Sequence, residues 1–324
     1  MSVNWSSLHG DRFRKVRVLV TGGAGFIGSH ICDALVQLGA KVIVLDDLSG
    51  GDTANLPHEV EFIRASILDL PALDRATDGC KFVFHQAALG SVPRSIEQPR
   101  LYHDVDTTGT FNVLESARQA GVQRVMFAAS SSVYGDAAPD QAKLETMPML
   151  PRSPYAAAKA AGEALLGAFA RSLNIDTVSL RYFNIFGPKQ NANSAYAAVI
   201  AAFAKAMQAE DAPNIYGDGS QSRDFTFVAN AVHANLLAAA CSNALDGEAI
   251  NVATGHSVTV NELAMKMGTL YGSTKHPQYA PVRAGDVLHS LADISKAKQL
   301  LGYQPLVNFD EGLRQTVEWY RKQN

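Results

Sequence analysis

Residues 16–28, VRVLVTGGAGFIG, decide the fold. The apolar run 16–21 reads as a strand buried on both faces. The apolar pattern of 26–38 reads as a helix, stopped by Gly39. Between them Gly22, Gly25 and Gly28 form G-x-x-G-x-x-G. Three missing side chains in such a turn allow a sharp reversal, close approach of the backbone to a pyrophosphate, and close helix–strand packing. The helix start, with Phe26 and Ile27, then turns unpaired N–H groups toward the phosphates. A glycine-rich turn is weak evidence alone. A strand before it and a helix after it make a bound dinucleotide the expectation.

The same alternation runs outward from this turn. Strands are expected at 41–45, 60–64, 82–85, 124–129 and 177–181, and helices at 68–77, 101–120 and 154–173. Buried strands alternating with helices imply an α/β fold, a Rossmann-type doubly wound parallel sheet. After residue 181 Gly, Pro, Asn and Asp become frequent, as in Gly187-Pro188 and Gly217-Asp218-Gly219, which marks loops. Helices are expected there at 195–209, 229–240, 260–270, 294–301 and 311–322, the third opened by a capping-box pattern, Thr259 to Glu262. The expected organisation is a dinucleotide-binding domain over 1–181, with returning elements from about 225–254, and a smaller, loop-rich C-terminal substrate lobe over 182–324.

Asp46 closes the second strand, about 20 residues beyond the glycine turn, where a carboxylate accepts hydrogen bonds from an adenosine ribose diol. It would repel a 2′-phosphate, and no Arg follows in Asp46-Asp47-Leu48-Ser49-Gly50. The expected cofactor is therefore NAD rather than NADP. Tyr155 and Lys159 lie four positions apart, on one helical face. A second such pair, Tyr271 and Lys275, spans Gly272 at a helix end and reads as a chance match. For the first pair, Ser153-Pro154 suits a helix start. A free phenol has a pKa of about 10, so a base working near pH 7 needs roughly 4 kcal/mol of differential stabilisation. A neighbouring ammonium and a cationic nicotinamide could supply it. Ser130-Ser131-Ser132 ends the fifth strand, where ligands of such sheets bind, so a hydroxyl there could relay a proton.

The composition closes off other classes. The 324 residues carry Lys+Arg 28 against Asp+Glu 31, a net charge of −3, with 47% hydrophobic and 18% charged residues. That is a folded, mildly acidic protein, not a nucleic-acid binder. No apolar run is long enough to span a membrane, and the first fifteen residues lack a leader's apolar core. Cys32, Cys80 and Cys241 are far apart, which fits a reducing cytoplasm and no metal site.

These motifs together resemble the extended short-chain dehydrogenase/reductase superfamily, over nearly the whole chain from Val16 to about Tyr320. Within it the chain looks like the nucleotide-sugar 4-epimerases, through 21–28, 45–49, Gln86-Ala87-Ala88, 130–135, Tyr155 with Lys159, 180–184, 217–219 and 283–286. The nearest likeness is to bacterial UDP-N-acetylglucosamine/UDP-N-acetylgalactosamine 4-epimerases, on 86–95, 195–200 and 285–290. The resemblance implies reversible C4 epimerisation of a UDP-hexose, with transient hydride transfer to tightly bound NAD and a 4-keto intermediate. Tyr155 would be the base, Lys159 its partner and a ribose ligand, and Ser130 a relay. Gly22, Gly25, Phe26, Ile27, Gly28, Asp46, Asp47, Ile67, Gln86, Ala87, Ala88, Tyr155, Lys159 and Tyr182 would contact NAD. Asn184, Arg223 and Arg283 would hold the diphosphate, Tyr216 the uracil, Asp286 the uridine ribose, and Ser91, Ser130 and Ser131 the sugar. Ser290, small where epimerases that reject acetylated sugars tend to carry Tyr, would leave room for a 2-acetamido group. A homodimer through the helices at 101–120 and 154–173 is implied by analogy.

Related branches differ in ways that can be read. The 4,6-dehydratases carry Thr-Asp-Glu, and the decarboxylases a Glu, where this chain has Ser130-Ser131-Ser132, so elimination and decarboxylation lose support. Two departures concern the cofactor: Ser66 stands where the family usually has Asp, and Asp106 where it usually has Asn. The alternatives are a 4-epimerase of UDP-glucose/galactose, a UDP-uronate or a UDP-pentose, an NAD(P)H-dependent 4-keto-sugar reductase, or, from a different class, a non-catalytic NAD-binding scaffold. A uronate would need an extra cation, for which Arg94 is the only obvious candidate near the sugar-side loop.

Overall fold

The computed structural model describes residues 3–136, 141–192, 198–282 and 288–323. Seven parallel strands form the main sheet: β1 (Arg17–Thr21), β2 (Lys41–Asp46), β3 (Glu61–Arg64), β4 (Phe82–His85), β5 (Arg124–Ser130), β6 (Asp176–Tyr182) and β7 (Glu248–Val252). Their order is 3-2-1-4-5-6-7. The chain therefore starts in the middle, winds outward to β3, then crosses back over β1 to β4. The crossing opens a crevice at the carboxyl ends of β1 and β4, the usual ligand position in open α/β sheets. Register lines up the residues there: Thr21 pairs with Leu45 and His85, and Ser130 with Tyr182.

Alternation along the strands feeds two cores. Val18, Val20, Val42, Val44, Phe82 and Phe84 pack against one layer of helices, including α1 (Phe26–Gln37). Leu19, Ile43, Val83, Val125 and Phe127 face the other layer, α2 (Leu70–Thr77), α3 (Gly109–Gln119) and α4 (Pro154–Leu173). The first layer is completed by α5 (Val228–Ala240), almost wholly buried. It leads to β7, so the chain returns to the main sheet after leaving it at Tyr182.

The helix α4 starts where the sequence places it. Ser153 accepts a hydrogen bond from the Ala156 N–H, and Pro154 fills the first turn. The capping box of Thr259 and Glu262 is formed in both directions. The helix expected over 101–120 is not one α-helix. Pro99–Tyr102 makes an α-turn, His103–Thr108 a π-helix, and only then does α3 begin. The wider turn ends at Gly109, where any Cβ would lie 2.4 Å from Ile67 Cδ1. One extra residue per turn re-aims the side chains inside it, and Asp106 is among them.

Small sheets complete the C-terminal part. Ser222–Arg223 lies between Val258–Thr259 and His289–Ser290, and Asn214–Tyr216 pairs with Gln278–Ala280. The first dozen residues, to which the sequence assigns no role, tie the amino terminus to the sheet. Trp5, His9 and Phe13 are buried, with His9 Nε2 3.2 Å from His233 Nδ1 on α5 and Phe13 edge-on to Phe82. No helix among the described residues is long and apolar enough to cross a membrane.

Candidate active site

A cleft of about 760 Å³ opens at the carboxyl ends of the strands. One end is built from the glycine turn. Gly22 has φ +67°, and a Cβ there would lie 2.6 Å from the Ala87 N. Two strand ends thus meet with no room for a side chain, which leaves a cradle of bare backbone for a phosphate. Phe26, Ile27, Gly28, Asp46, Asp47, Ser66, Ile67, Gln86, Ala87 and Ala88 line the same end. The Asp46 carboxylate accepts N–H bonds from Ala24 at 2.9 Å and Leu48 at 2.8 Å. Burial pushes its pKa up, and those two N–H groups pull against it. A carboxylate fixed at the end of β2 suits a diol, and its charge opposes a phosphate monoester. The cradle and the donor set therefore fit a dinucleotide with a free ribose diol.

Tyr155 and Lys159 enter the middle of the cleft from α4. Burial pushes the Tyr155 phenol up to about 12, a hydrogen bond with Ser130 lowers it, and the charges of Asp106 and Tyr102 raise it. The Lys159 ammonium donates to the Ala128 carbonyl at 2.8 Å and lies 5.9 Å from the Tyr155 ring centre. Burial pushes its pKa down, while Asp106 and Glu163 hold it up. Ser130 Oγ also accepts the Ser132 N–H at 3.2 Å. Hydroxyl, phenol and ammonium thus converge on one wall. Tyr182 is buried behind them, donating to Gln86 Oε1 at 3.2 Å and accepting from Asn235 Nδ2 at 2.6 Å.

Asp106 is brought to this wall by the π-turn. Its Oδ1 accepts the Leu89 N–H at 2.8 Å, while Oδ2 is buried without a partner. The turn is held from behind by a neutral histidine. His85, pushed down to about 3 by burial and by Lys159, bridges Thr21 Oγ1 at 2.8 Å and Thr110 Oγ1 at 3.0 Å. Thr110 in turn donates to the Asp106 carbonyl. Burial raises the Asp106 pKa to about 6, against the pull of Lys159 and the Leu89 N–H. A folded-state pKa above the unfolded one makes ionisation a cost to the fold. Stability then falls as pH rises from about 4 to about 6. Asp106→Asn keeps the Leu89 acceptor and removes the charge. We expect its melting temperature to exceed the parent's above pH 6 by the equivalent of up to about 3 kcal/mol. The gap should close below pH 4. A gap independent of pH would show that this carboxyl does not titrate in the fold.

The far end of the cleft is formed by Ser131, Asn184, Arg223 and Ser290. The small parallel pair places Ser290 opposite Arg223 in register. Asn184 Nδ2 lies 3.3 Å from the Asp224 carbonyl and 3.5 Å from Ser290 Oγ. Arg223 donates to the carbonyls of Ser222 and Leu288. Tyr216 lines an adjoining pocket of about 270 Å³, which shares Asn184 and Arg223 with the cleft.

One expected residue is placed differently. Ser91 is not in the cleft wall; its hydroxyl caps the helix Val92–Glu97 through the Arg94 N–H at 3.3 Å. Arg283 and Asp286 lie outside the described residues. Among the lining residues that the sequence does not single out is Lys143, buried to 1% exposure. Among the described residues no cluster of three or more potential metal ligands occurs.

The chain matches the family model described as NAD dependent epimerase/dehydratase family over residues 18–253. It is similar to the UDP-glucose 4-epimerase of Mycolicibacterium smegmatis, with 37% identity over 95% of this chain and 100% of that one. Among solved structures it resembles the UDP-N-acetylglucosamine 4-epimerase of Methanobrevibacter ruminantium, in complex with UDP-N-acetylmuramic acid. Identity is 40%, TM-score 0.91, and coverage 96% of this chain and 100% of that one. It also resembles the Thermus thermophilus UDP-glucose 4-epimerase in complex with NAD, at 38% identity and TM-score 0.88, covering 94% of this chain and 99% of that one.

Proposed function

We propose, from the premise that the chain belongs to the NAD dependent epimerase/dehydratase family and is an NAD-dependent UDP-sugar 4-epimerase, that its sugar is a 2-acetamido hexose, interconverted between UDP-N-acetylgalactosamine and UDP-N-acetylglucosamine. The observation that carries this reading is Ser290. It is buried in the cleft opposite Arg223 and beside Asn184, and its side chain ends at a hydroxyl. A tyrosine there would fill the space that a 2-acetamido group needs. The relative crystallised with UDP-N-acetylmuramic acid, itself a 2-acetamido sugar, adds support.

We assign the roles from the lining of the cleft together with the family resemblance, the latter alone for Arg283 and Asp286. The glycine cradle, Asp46 and Lys159 hold NAD, which when bound supplies the reversible acceptor of the C4 hydrogen. Tyr155 takes the proton of the sugar 4-hydroxyl, directly or through Ser130, and returns it after the ring has turned over. Asn184 and Arg223 hold the diphosphate, with Arg283 completing the clamp, while Tyr216 receives the uracil and Asp286 its ribose. Binding energy concentrated in the nucleotide leaves the sugar free to present either face. The exposed Leu101 and Phe111, on the turn and the helix that pack beside α4, and Leu173 at the end of α4 itself support a homodimer through that surface.

The test is a proton NMR time course without an added reductant, run with UDP-N-acetylgalactosamine and UDP-galactose. The expected result is faster appearance of the gluco epimer from the acetylated sugar. Ser290→Tyr should lower kcat/KM for the acetylated sugar about 100-fold relative to UDP-galactose, the scale of one steric exclusion. Equal rates on both sugars in the parent, or an unchanged ratio in Ser290→Tyr, would overturn the assignment. Stoichiometric consumption of NADH with a 4-keto sugar, and no epimer, would replace it with a reductase.

A further inference from the structure

Lys143 has no place in the reading so far. Its side chain is buried to 1% exposure, yet it lines the cleft together with Ser130, Ser132, Tyr155, Arg223 and Ser290. The ammonium donates one bond, to the Gly135 carbonyl at 2.9 Å, and lies 5.8 Å from the Tyr134 ring centre. Among the described residues no carboxylate lies within ion-pair distance of it. Burial and the facing charge of Arg223 press its pKa down to about 8. The backbone is held as firmly as the side chain. The Lys143 N–H donates to Leu291 O at 2.8 Å, and its carbonyl accepts from the Asp293 N–H and from Asn251 Nδ2. A buried ammonium with no counter-ion is costly, and an anion arriving in the cleft would offset that cost.

The position narrows the anion. Gly135 and Tyr134 belong to the turn that follows Ser130–Ser132, and Leu291 and Ala292, just after Ser290, run beside Lys143. Both belong to the end of the cleft that must hold the hexose if Tyr155 is to reach its 4-hydroxyl. A hexose that keeps C1, C2 and C4 undisturbed can carry an anion at C6, as a carboxylate, or on an acid ether at the C3 oxygen, as in UDP-N-acetylmuramic acid; the C6 carboxylate needs no added chain. We propose that Lys143 is a specificity-determining residue that pairs with a C6 carboxylate, so that this protein epimerises the uronate form of its 2-acetamido sugar. Arg94, the cation suggested by sequence, does not line the cleft.

This rests on the acetamido reading above and adds the charge at C6. The experiment compares UDP-N-acetylgalactosamine with its C6 carboxylate counterpart in the parent, in Lys143→Met and in Lys143→Gln. The parent should turn over the uronate with a kcat/KM at least equal to that for the neutral sugar. In both variants the ratio of uronate to neutral kcat/KM should fall about 100-fold, as when one partner of a buried charge pair is removed. A proportional loss on both sugars, with weaker inhibition by UDP, would place the ammonium on the diphosphate and overturn the proposal. An unchanged ratio would overturn it too. A parent that epimerises the neutral sugar and ignores the uronate would end this inference and leave the acetamido reading standing. A parent inactive on both acetylated sugars but active on UDP-galactose would end that reading itself.

Discussion

Replacing Tyr155 with phenylalanine is expected to lower C4 epimerisation by roughly 10³-fold or more, the upper range for losing a positioned acid–base group. The phenol lines the cleft wall, with Ser130 as its hydrogen-bond partner and its pKa pushed up to about 12 in the protein alone. Acting as a base at pH 7 from there requires about 7 kcal/mol of extra stabilisation of the phenolate. Lys159, 5.9 Å from the ring centre, and the cationic nicotinamide of bound NAD are the available sources. Phenylalanine keeps the ring and its edge contact with Tyr102, so packing and melting temperature should barely change. Tightly bound NAD should stay at parental stoichiometry, measured as nucleotide released on denaturation. Activity above about a hundredth of the parent's would remove Tyr155 from the chemistry, since neither Ser130 nor Tyr102 could reasonably replace it as base.

The sequence makes this residue legible because its signals are local. A capping Ser153, a Pro154 and a phenol four positions before an ammonium all sit on one helix, and the structure forms that helix over Pro154–Leu173 as expected. The glycine turn is legible for the same reason. Asp106 and Lys143 show what local pattern cannot carry. The π-turn that aims Asp106 inward depends on Ile67 pressing on Gly109 and on His85 reaching Thr110, contacts between separate elements. Lys143 stands in a polar connection with no periodicity, and what buries it is pairing with residues 291–293. Ser91 carries a second local signal that the sequence also offers. A serine directly before Val92-Pro93 has the form of a helix cap, and its hydroxyl accepts the Arg94 N–H while keeping its own proton to donate.

The second large effect belongs to the glycine turn. In Gly28→Ala the added Cβ would lie 2.2 Å from the Gly22 carbonyl oxygen, 2.9 Å from its carbon and 2.9 Å from Gly23 Cα. All three are backbone atoms, so no side chain can rotate away. The obstructed oxygen also accepts the Gly25 N–H at 3.1 Å, and the Gly22 N–H is tied to Leu45 on β2 at 2.9 Å. Relief therefore has to come from moving the turn off β2 or the start of α1 off the sheet, and either opens the cradle that faces the cofactor. Overpacking typically costs about 1–3 kcal/mol, here with the backbone itself displaced. A fall of about 4–5 °C in melting temperature follows at the upper end for a chain of this length. NAD affinity should drop by more than about 100-fold, because a shift of even 1 Å breaks N–H bonds to a diphosphate that are short and charge-assisted. Gly268→Ala provides the contrast: it lies inside the helix Val260–Tyr271, with its nearest neighbour for a Cβ at 3.8 Å, so it should stabilise by up to about 1 kcal/mol and leave NAD binding alone. Calorimetric titration of NAD into both variants separates the two cases. Parental NAD affinity in Gly28→Ala would mean that the turn is not the cofactor's cradle.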